Sequence, residues 1–418
     1  MIPLNLLFIR FLKLGATAYG GPAMIGQIQE TVVKKYGWVK EEEFLQGVAL
    51  CQLIPGATFV QLSTYIGYRL RGIWGAFICA TAFVIPAFIL LVILSTLYFN
   101  LGNLWLIESL FKGLGAIVVA VVLNAFISFG KPILKDWKVV LISIFSFFAF
   151  LFRWNIVLVF ILAAAAALLL QPKVSKAAPT SPPPEVSLLQ KKGGDYPFLG
   201  VLAILICLIF GVCYLVNATL FNLSVTLSKI GALAFGGGFT IIPMIQYEVV
   251  DRFQWISTKE FLDGIAMGQV TPGPIMITAT FLGYKLAGFG GALMATIAIF
   301  SPAFFIVTLL NPAYDRLKKW GSVRTMEQGI LASFVGMLGL VLYNFGRTAF
   351  VDIPSILIAG AAFFALLKKI DLPISLSVEG LFPFRFMPRL GSQQRGGGGV
   401  PPIVAGLGLN ACPLKRTS

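Results

Sequence analysis

The chain has 418 residues, 58% of them hydrophobic and only 12% charged, and this balance marks a polytopic membrane protein rather than a soluble enzyme. Its formal charge of +15 invites nucleic acid as a partner, but the cations sit in short connectors between apolar runs, where they set membrane orientation instead. With no His and no GxxxxGK[ST], histidine zinc sites, Ser-His-Asp catalysis, a histidine proton relay and a P-loop are excluded, so neither a cofactor nor an enzyme activity is expected.

The five Cys, at 51, 79, 207, 213 and 412, form no CxxC pair and read as small hydrophobes. Residues 1–20 have the small-residue spacing of a cleaved leader at Ala16-Thr17-Ala18. Arg10 and Lys13 nevertheless fall inside the apolar run, and the segment recurs at Leu220 to Gly238, so it reads as a retained first helix. Runs long enough to span, at about 20 residues each, follow near 4–26, 44–66, 74–98 and 113–129. A short pair at 138–152 and 155–170 reads as a hairpin that does not cross fully. Residues 171–197 are rich in Pro, Ser and Lys and read as a cytoplasmic linker. Further runs fall near 198–216, 220–244, 261–282, 289–311, 329–346 and 353–367.

The chain repeats itself. Trp38 to Gly56 (WVKEEEFLQGVALCQLIPG) and Trp255 to Gly273 (WISTKEFLDGIAMGQVTPG) agree at 9 of 19 positions. Tyr65 to Ala76 answers Phe281 to Ala292, Ile85-Pro86-Ala87-Phe88 answers Ser301-Pro302-Ala303-Phe304, and the Gly20-Gly21 cluster answers Gly236-Gly237-Gly238. The expected fold is therefore an all-α polytopic membrane protein of two homologous repeats, 1–170 and 217–373. The run at 198–216 is an extra helix that inverts the second repeat. With the N-terminus inside, Arg69, Arg71, Lys131, Lys135, Lys138, the linker lysines, Arg316, Lys318, Lys319 and Arg324 all fall on the cytoplasmic side. Inverted repeats with interrupted helices at matching places point to a transporter's binding site. Residues 374–418 break the pattern: where a last helix is due, the sequence turns rich in Gly, Pro and Arg, as a change of reading frame would produce, and disorder is expected.

Each repeat carries one marked interruption. In Gly264 to Lys285 two prolines in Thr271-Pro272-Gly273-Pro274 disfavour a continuous helix, and backbone groups released there must be buried in protein or line a wet cavity. The motifs AYGGPA (Ala18 to Ala23), FGGGFTIIP (Phe235 to Pro243) and QVTPGPIMITATFLGYKLAG (Gln269 to Gly288) resemble the chromate ion transporter family, over roughly residues 4–370. The resemblance implies a multi-pass carrier of the bacterial inner membrane that exports chromate, an oxyanion shaped like sulfate, and confers chromate resistance. Uptake of sulfate or another oxyanion is the alternative, and a homo-oligomer is compatible with either. The first repeat departs from the family by having Pro55-Gly56-Ala57 in place of Pro-Gly-Pro.

A tetrahedral dianion needs many hydrogen-bond donors and positive potential, which Gly-rich turns and helix N-termini supply. Candidate backbone positions are Gly20, Gly21, Pro55, Gly56, Gly236, Gly237, Gly238, Pro272, Gly273 and Pro274, with Gln52, Thr58, Ser63, Gln269, Thr271 and Thr278 as side-chain donors. The same glycines would equally serve close helix packing. Arg69 and Lys285 are equivalent boundary cations that either attract substrate or snorkel. Ser257 with Glu260 has the pattern of a capping box, and Asp263 is the candidate proton-coupling carboxylate. No metal site is expected.

Overall fold

The computed structural model describes residues 2–18, 21–101, 105–170, 195–234, 240–310, 321–350 and 352–367, so the expected linker up to residue 194 and the tail from 374 lie outside the described residues. The first half comprises α1 (Leu4–Thr17), α2 (Gly21–Gln29) running on as a π-helical stretch (Glu30–Lys35), α3 (Glu41–Leu53), α4 (Thr58–Leu101), α5 (Trp105–Ile133), α6 (Trp137–Leu151) and α7 (Ile156–Leu170). After α8 (Asp195–Val216) the series recurs as α9 (Ala218–Leu233), α10 (Ile241–Ile245) with its π-helical stretch (Gln246–Arg252), α11 (Thr258–Val270), α12 (Thr278–Leu310), α13 (Gly321–Ala349) and α14 (Ile353–Leu367). No strand occurs among the described residues.

The long helices α4 and α12 are each two limbs folded back on themselves. Backbone geometry leaves the helix at Arg71 and Gly72, with Gly72 at φ +63°, and again at Ala287 and Gly288, with Gly288 at φ +57°. In an unbroken helix Gly67 and Gly75 would stand about 12 Å apart, yet a Cβ on Gly67 would lie 2.2 Å from the Gly75 carbonyl oxygen; Gly283 and Gly291 make the same approach at 2.1 Å. Only glycine permits limbs this close.

The short limb of α4, residues 58–70, runs antiparallel to α3. Arg69 pairs with Glu43, the Tyr65 hydroxyl donates to the Glu43 carbonyl at 3.4 Å, and Gly47 faces the Tyr65 ring. At 13 residues α3 is roughly 20 Å long, short of the ~30 Å hydrocarbon core. The runs expected to span at 44–66 and 261–282 are therefore re-entrant hairpins that enter and leave on one side. The runs at 4–26 and 220–244 also turn back: Arg10 stacks over Tyr36 at 5.0 Å, and Lys229 pairs with Glu248 at 2.5 Å.

The second limbs of α4 and α12 cross antiparallel, with Phe77 against Phe304 (6.3 Å) and Phe88 against Phe289 (6.0 Å). The Arg71 guanidinium donates to the Ile2 carbonyl at 3.1 Å, so the start of α1 and the reversal of α4 share a face, called here the N-terminal face. α6 and α7 form the expected short hairpin, closed on that face by Lys138 donating to the Leu170 carbonyl at 2.6 Å. They pack on α13, where Gly336 meets Ser143 and Gly329 meets Ala163. On the far face Lys112 pairs with Asp352 at 2.7 Å where α14 packs against α5. The Lys112 ammonium and two bonds from Ser355 hold the Asp352 carboxyl down at about 2. That pair is complete above the ordinary carboxylate range and is lost only as pH falls toward 2.

α1 and α9 are held to these long limbs by glycine. A Cβ on Gly15 would lie 2.1 Å from the Phe83 carbonyl oxygen and one on Gly231 2.2 Å from that of Ile299. Gly231→Val should cost about 1–3 kcal/mol through overpacking, read as a lower unfolding temperature of the purified protein in detergent. Gly26→Val, at a position with nothing within 4 Å, is the control and should be near neutral in packing.

Candidate functional site

Each of the two interruptions docks into the opposite half of the chain. The Gly273 N–H donates to the Ala18 carbonyl at 2.8 Å, and the Gly56 N–H donates to the Ala234 carbonyl at 2.6 Å. Both are glycines in a backbone region that side chains rarely adopt, at φ +110° and φ +134°. A Cβ on Gly273 would lie 2.9 Å from Ala87 Cβ, and one on Gly56 would lie 3.2 Å from Ala303 Cβ. The Pro-Ala pairs at 86–87 and 302–303 thus mark where a small residue admits the other repeat's turn. Ala87 sits halfway along the limb 73–101, which sets the depth of the site.

This geometry reassigns several candidate donors. The Gly56 and Gly273 amides are taken by Ala234 and Ala18, so they fasten the turns instead of facing a ligand. Ser63 donates to the Phe59 carbonyl, Thr271 to Met267 and Thr278 to Ile275, each hydroxyl closing its own helix. Arg69 and Lys285 are paired with Glu43 and Glu260, the latter at 2.7 Å, and close the mouths of the two hairpins. The Ser257–Glu260 capping box is present in full. Gly21 opens α2; Gly20 and Gly236, Gly237 and Gly238 lie outside the described residues.

The remaining candidate donors lie beside the tips. Gln52 is exposed three residues before Pro55, and its counterpart Gln269 has a buried Nε2 with no hydrogen-bond partner. Thr58 is buried at the start of α4, where the first-turn amides have no intrahelical acceptor. Pro274 is in extended geometry ahead of the single 3-10 turn Ile275–Ile277, and Pro272 precedes Gly273 in the second turn. The Pro55 carbonyl accepts from Gln61 Nε2 at 2.6 Å. Gln61 was not singled out from sequence, although a lone amide inside the apolar run 57–66 was its signal.

Asp263 is 3% exposed, and the Tyr98 hydroxyl donates to it at 2.7 Å from the end of the long limb of α4. Around this contact Phe99 stacks on Phe281 (5.1 Å) and Thr96 donates to the Tyr284 hydroxyl at 2.8 Å, sealing the far-face hairpin against the first repeat. Glu248, also not singled out, is fully buried between Lys229 and Arg252.

The sequence matches the chromate transporter family over residues 6–169 and 221–382, one match for each half. The chain belongs to the chromate transporter family. It is 34% identical to an uncharacterized transporter of Methanocaldococcus jannaschii, covering 88% of this chain and 90% of that one. It is 30% identical to a chromate transport protein of Cupriavidus metallidurans (90% and 91% covered) and 30% identical to a probable chromate transport protein of Synechococcus elongatus (89% and 92% covered). No solved structure matches. In this family member the two matched regions each contain one re-entrant Pro-Gly turn, and among the described residues five helices are long and apolar enough to cross a membrane, so the protein is a multi-pass membrane transporter.

Proposed function

We propose that the chain is a secondary carrier that exports chromate, with sulfate as a competing ligand, across the bacterial inner membrane. The observation that carries this is the reciprocal docking of the two Pro-Gly turns, each fastened to the other half of a member of the chromate transporter family; we read the halves as repeats 1–170 and 217–373, with 198–216 as the inverting helix. Alternating access follows when one half rocks against the other about such a centre. The N-terminal face is cytoplasmic, since Arg71, Lys131, Lys135 and Lys138 lie on it.

Outward movement of a dianion across an inside-negative potential of about 100 mV releases roughly 4.6 kcal/mol. That supports a concentration ratio above about a thousandfold without ATP. We place the route for proton exchange at Asp263, a buried carboxyl that accepts the Tyr98 hydroxyl at 2.7 Å across the contact between the two halves. Asp263→Asn keeps an acceptor for Tyr98 and removes the proton site. In proteoliposomes it should retain chromate flux driven by an imposed potential and lose the response to a pure pH gradient; a full pH-gradient response would remove Asp263 from this role.

Export itself is tested in cells. Expression should lower chromium accumulation and permit growth on chromate. Raised accumulation would assign uptake instead.

A further inference from the structure

The two halves of the site differ in charge. Lys13 and Lys229 stand 216 residues apart at the same place in α1 and α9. Lys229 pairs at 2.5 Å with Glu248, whose side chain is fully buried and also meets Arg252. The counterpart of Glu248 is Thr31: Tyr36 N–H donates to the Thr31 carbonyl as Phe253 N–H donates to that of Glu248, in matching π-helical stretches. Thr31 carries no charge, and its hydroxyl is spent on the Gln27 carbonyl. Lys13 is exposed and has no ion-pair partner among the described residues.

Its depth makes that exposure informative. Lys13 lies five residues from the Ala18 break, about 8 Å along the helix from the Gly273 turn docked there, and about two and a half turns from the start of α1. An unpaired ammonium there is too costly to leave in hydrocarbon and too deep to reach the interface, so it faces water. The packing around it agrees. α10 and α11 pack against α13, and α11 also against α5, whereas α2 packs on α3 and α3 on α4. Leu45 on α3 is 52% exposed where its counterpart Leu262 is 3% exposed, and Gln52 is exposed beside the turn. The far side is closed by Tyr98 on Asp263.

We propose that Lys13 is the cation that takes the oxyanion from the N-terminal face, on a water-filled path that this structure holds open, while Glu248 neutralises the equivalent Lys229. The chemistry it recognises is a tetrahedral dianion, chromate or sulfate. This rests on the carrier reading above, which sets the substrate class; the unequal charge of the two halves is independent of it.

The test is equilibrium binding of radiolabelled chromate and sulfate to the purified full chain in nanodiscs, with flux measured in parallel. Lys13→Gln should weaken binding and raise KM about tenfold, the factor for one charge-assisted contact, and Lys229→Gln should leave affinity near wild type. Thr31→Glu should reproduce the Lys13→Gln defect by supplying the carboxylate that Glu248 supplies to Lys229. The double variant Lys13→Gln/Thr31→Glu should be no weaker than Thr31→Glu alone. Lys13→Cys should react with an impermeant maleimide from the cytoplasmic side. Unchanged affinity in Lys13→Gln, or a Lys13→Cys that reacts only with a lipid-soluble maleimide, would overturn the assignment. Wild-type binding without flux would instead sink the carrier reading and leave Lys13 in place.

Discussion

Gly273→Leu is expected to reduce chromate flux at least tenfold while the protein still inserts and is recovered in the membrane fraction. The residue sits at φ +110°, and even a Cβ there would reach within 2.9 Å of Ala87, so a leucine cannot occupy the turn in place. Either the turn backs out of the first repeat, breaking the Gly273–Ala18 hydrogen bond, or the limb 73–101 moves. Each displaces the groups beside the site by more than the tolerance of a positioned contact. Pro272→Ala, which keeps the glycine, should have a smaller effect in the same direction. Normal flux in a well-inserted Gly273→Leu variant would detach the turn from the transport site.

The largest loss of stability is expected at Glu248. Its carboxylate is fully buried and holds Lys229 and Arg252, so Glu248→Ala leaves two cations facing each other. Breaking a buried pair by removing one partner costs about 3–5 kcal/mol, and the partly exposed cations place this case at the lower end. Glu43→Ala removes a pair whose carboxylate, unlike that of Glu248, keeps about a third of its surface in solvent, and should cost less, about 1 kcal/mol. Thermal unfolding of the two variants in the same detergent reads the difference. Equal shifts would mean that Glu248 is solvated in the membrane-embedded protein.

Most of the architecture was legible in the sequence because the repeat is carried by residues that permit one geometry. Pro and Gly at 55–56 and 272–273 announce interrupted helices, and the matching Pro-Ala pairs at 86–87 and 302–303 help to fix the register of the repeat; that these pairs admit the opposite turns is visible only in the structure. What hydropathy did not convey was direction. An apolar run of 22 residues reads alike whether it crosses or turns back at its middle, and only the contacts of Glu43 with Arg69 and Glu260 with Lys285 show the return. The candidate donors were harder. Composition reveals which hydroxyls and amides lie near a turn, but not that Ser63, Thr271 and Thr278 spend theirs on their own helices. Nor does a single repeat show that its glycine amide is taken by a carbonyl more than 170 residues away. The unequal pairing of Lys13 and Lys229 was present in the letters as Thr31 against Glu248, and became visible once the π-helical stretches fixed the register.

The central claim is that chromate crosses the membrane through the crossed turns as a charged species. Flux of radiolabelled chromate in proteoliposomes clamped at a series of potassium diffusion potentials tests it most directly. Wild-type flux should rise with potential in the direction that draws the dianion toward the positive side, and should fall to the protein-free rate in Gly273→Leu. Wild-type flux equal to that of empty liposomes, or flux indifferent to the imposed potential, would contradict it.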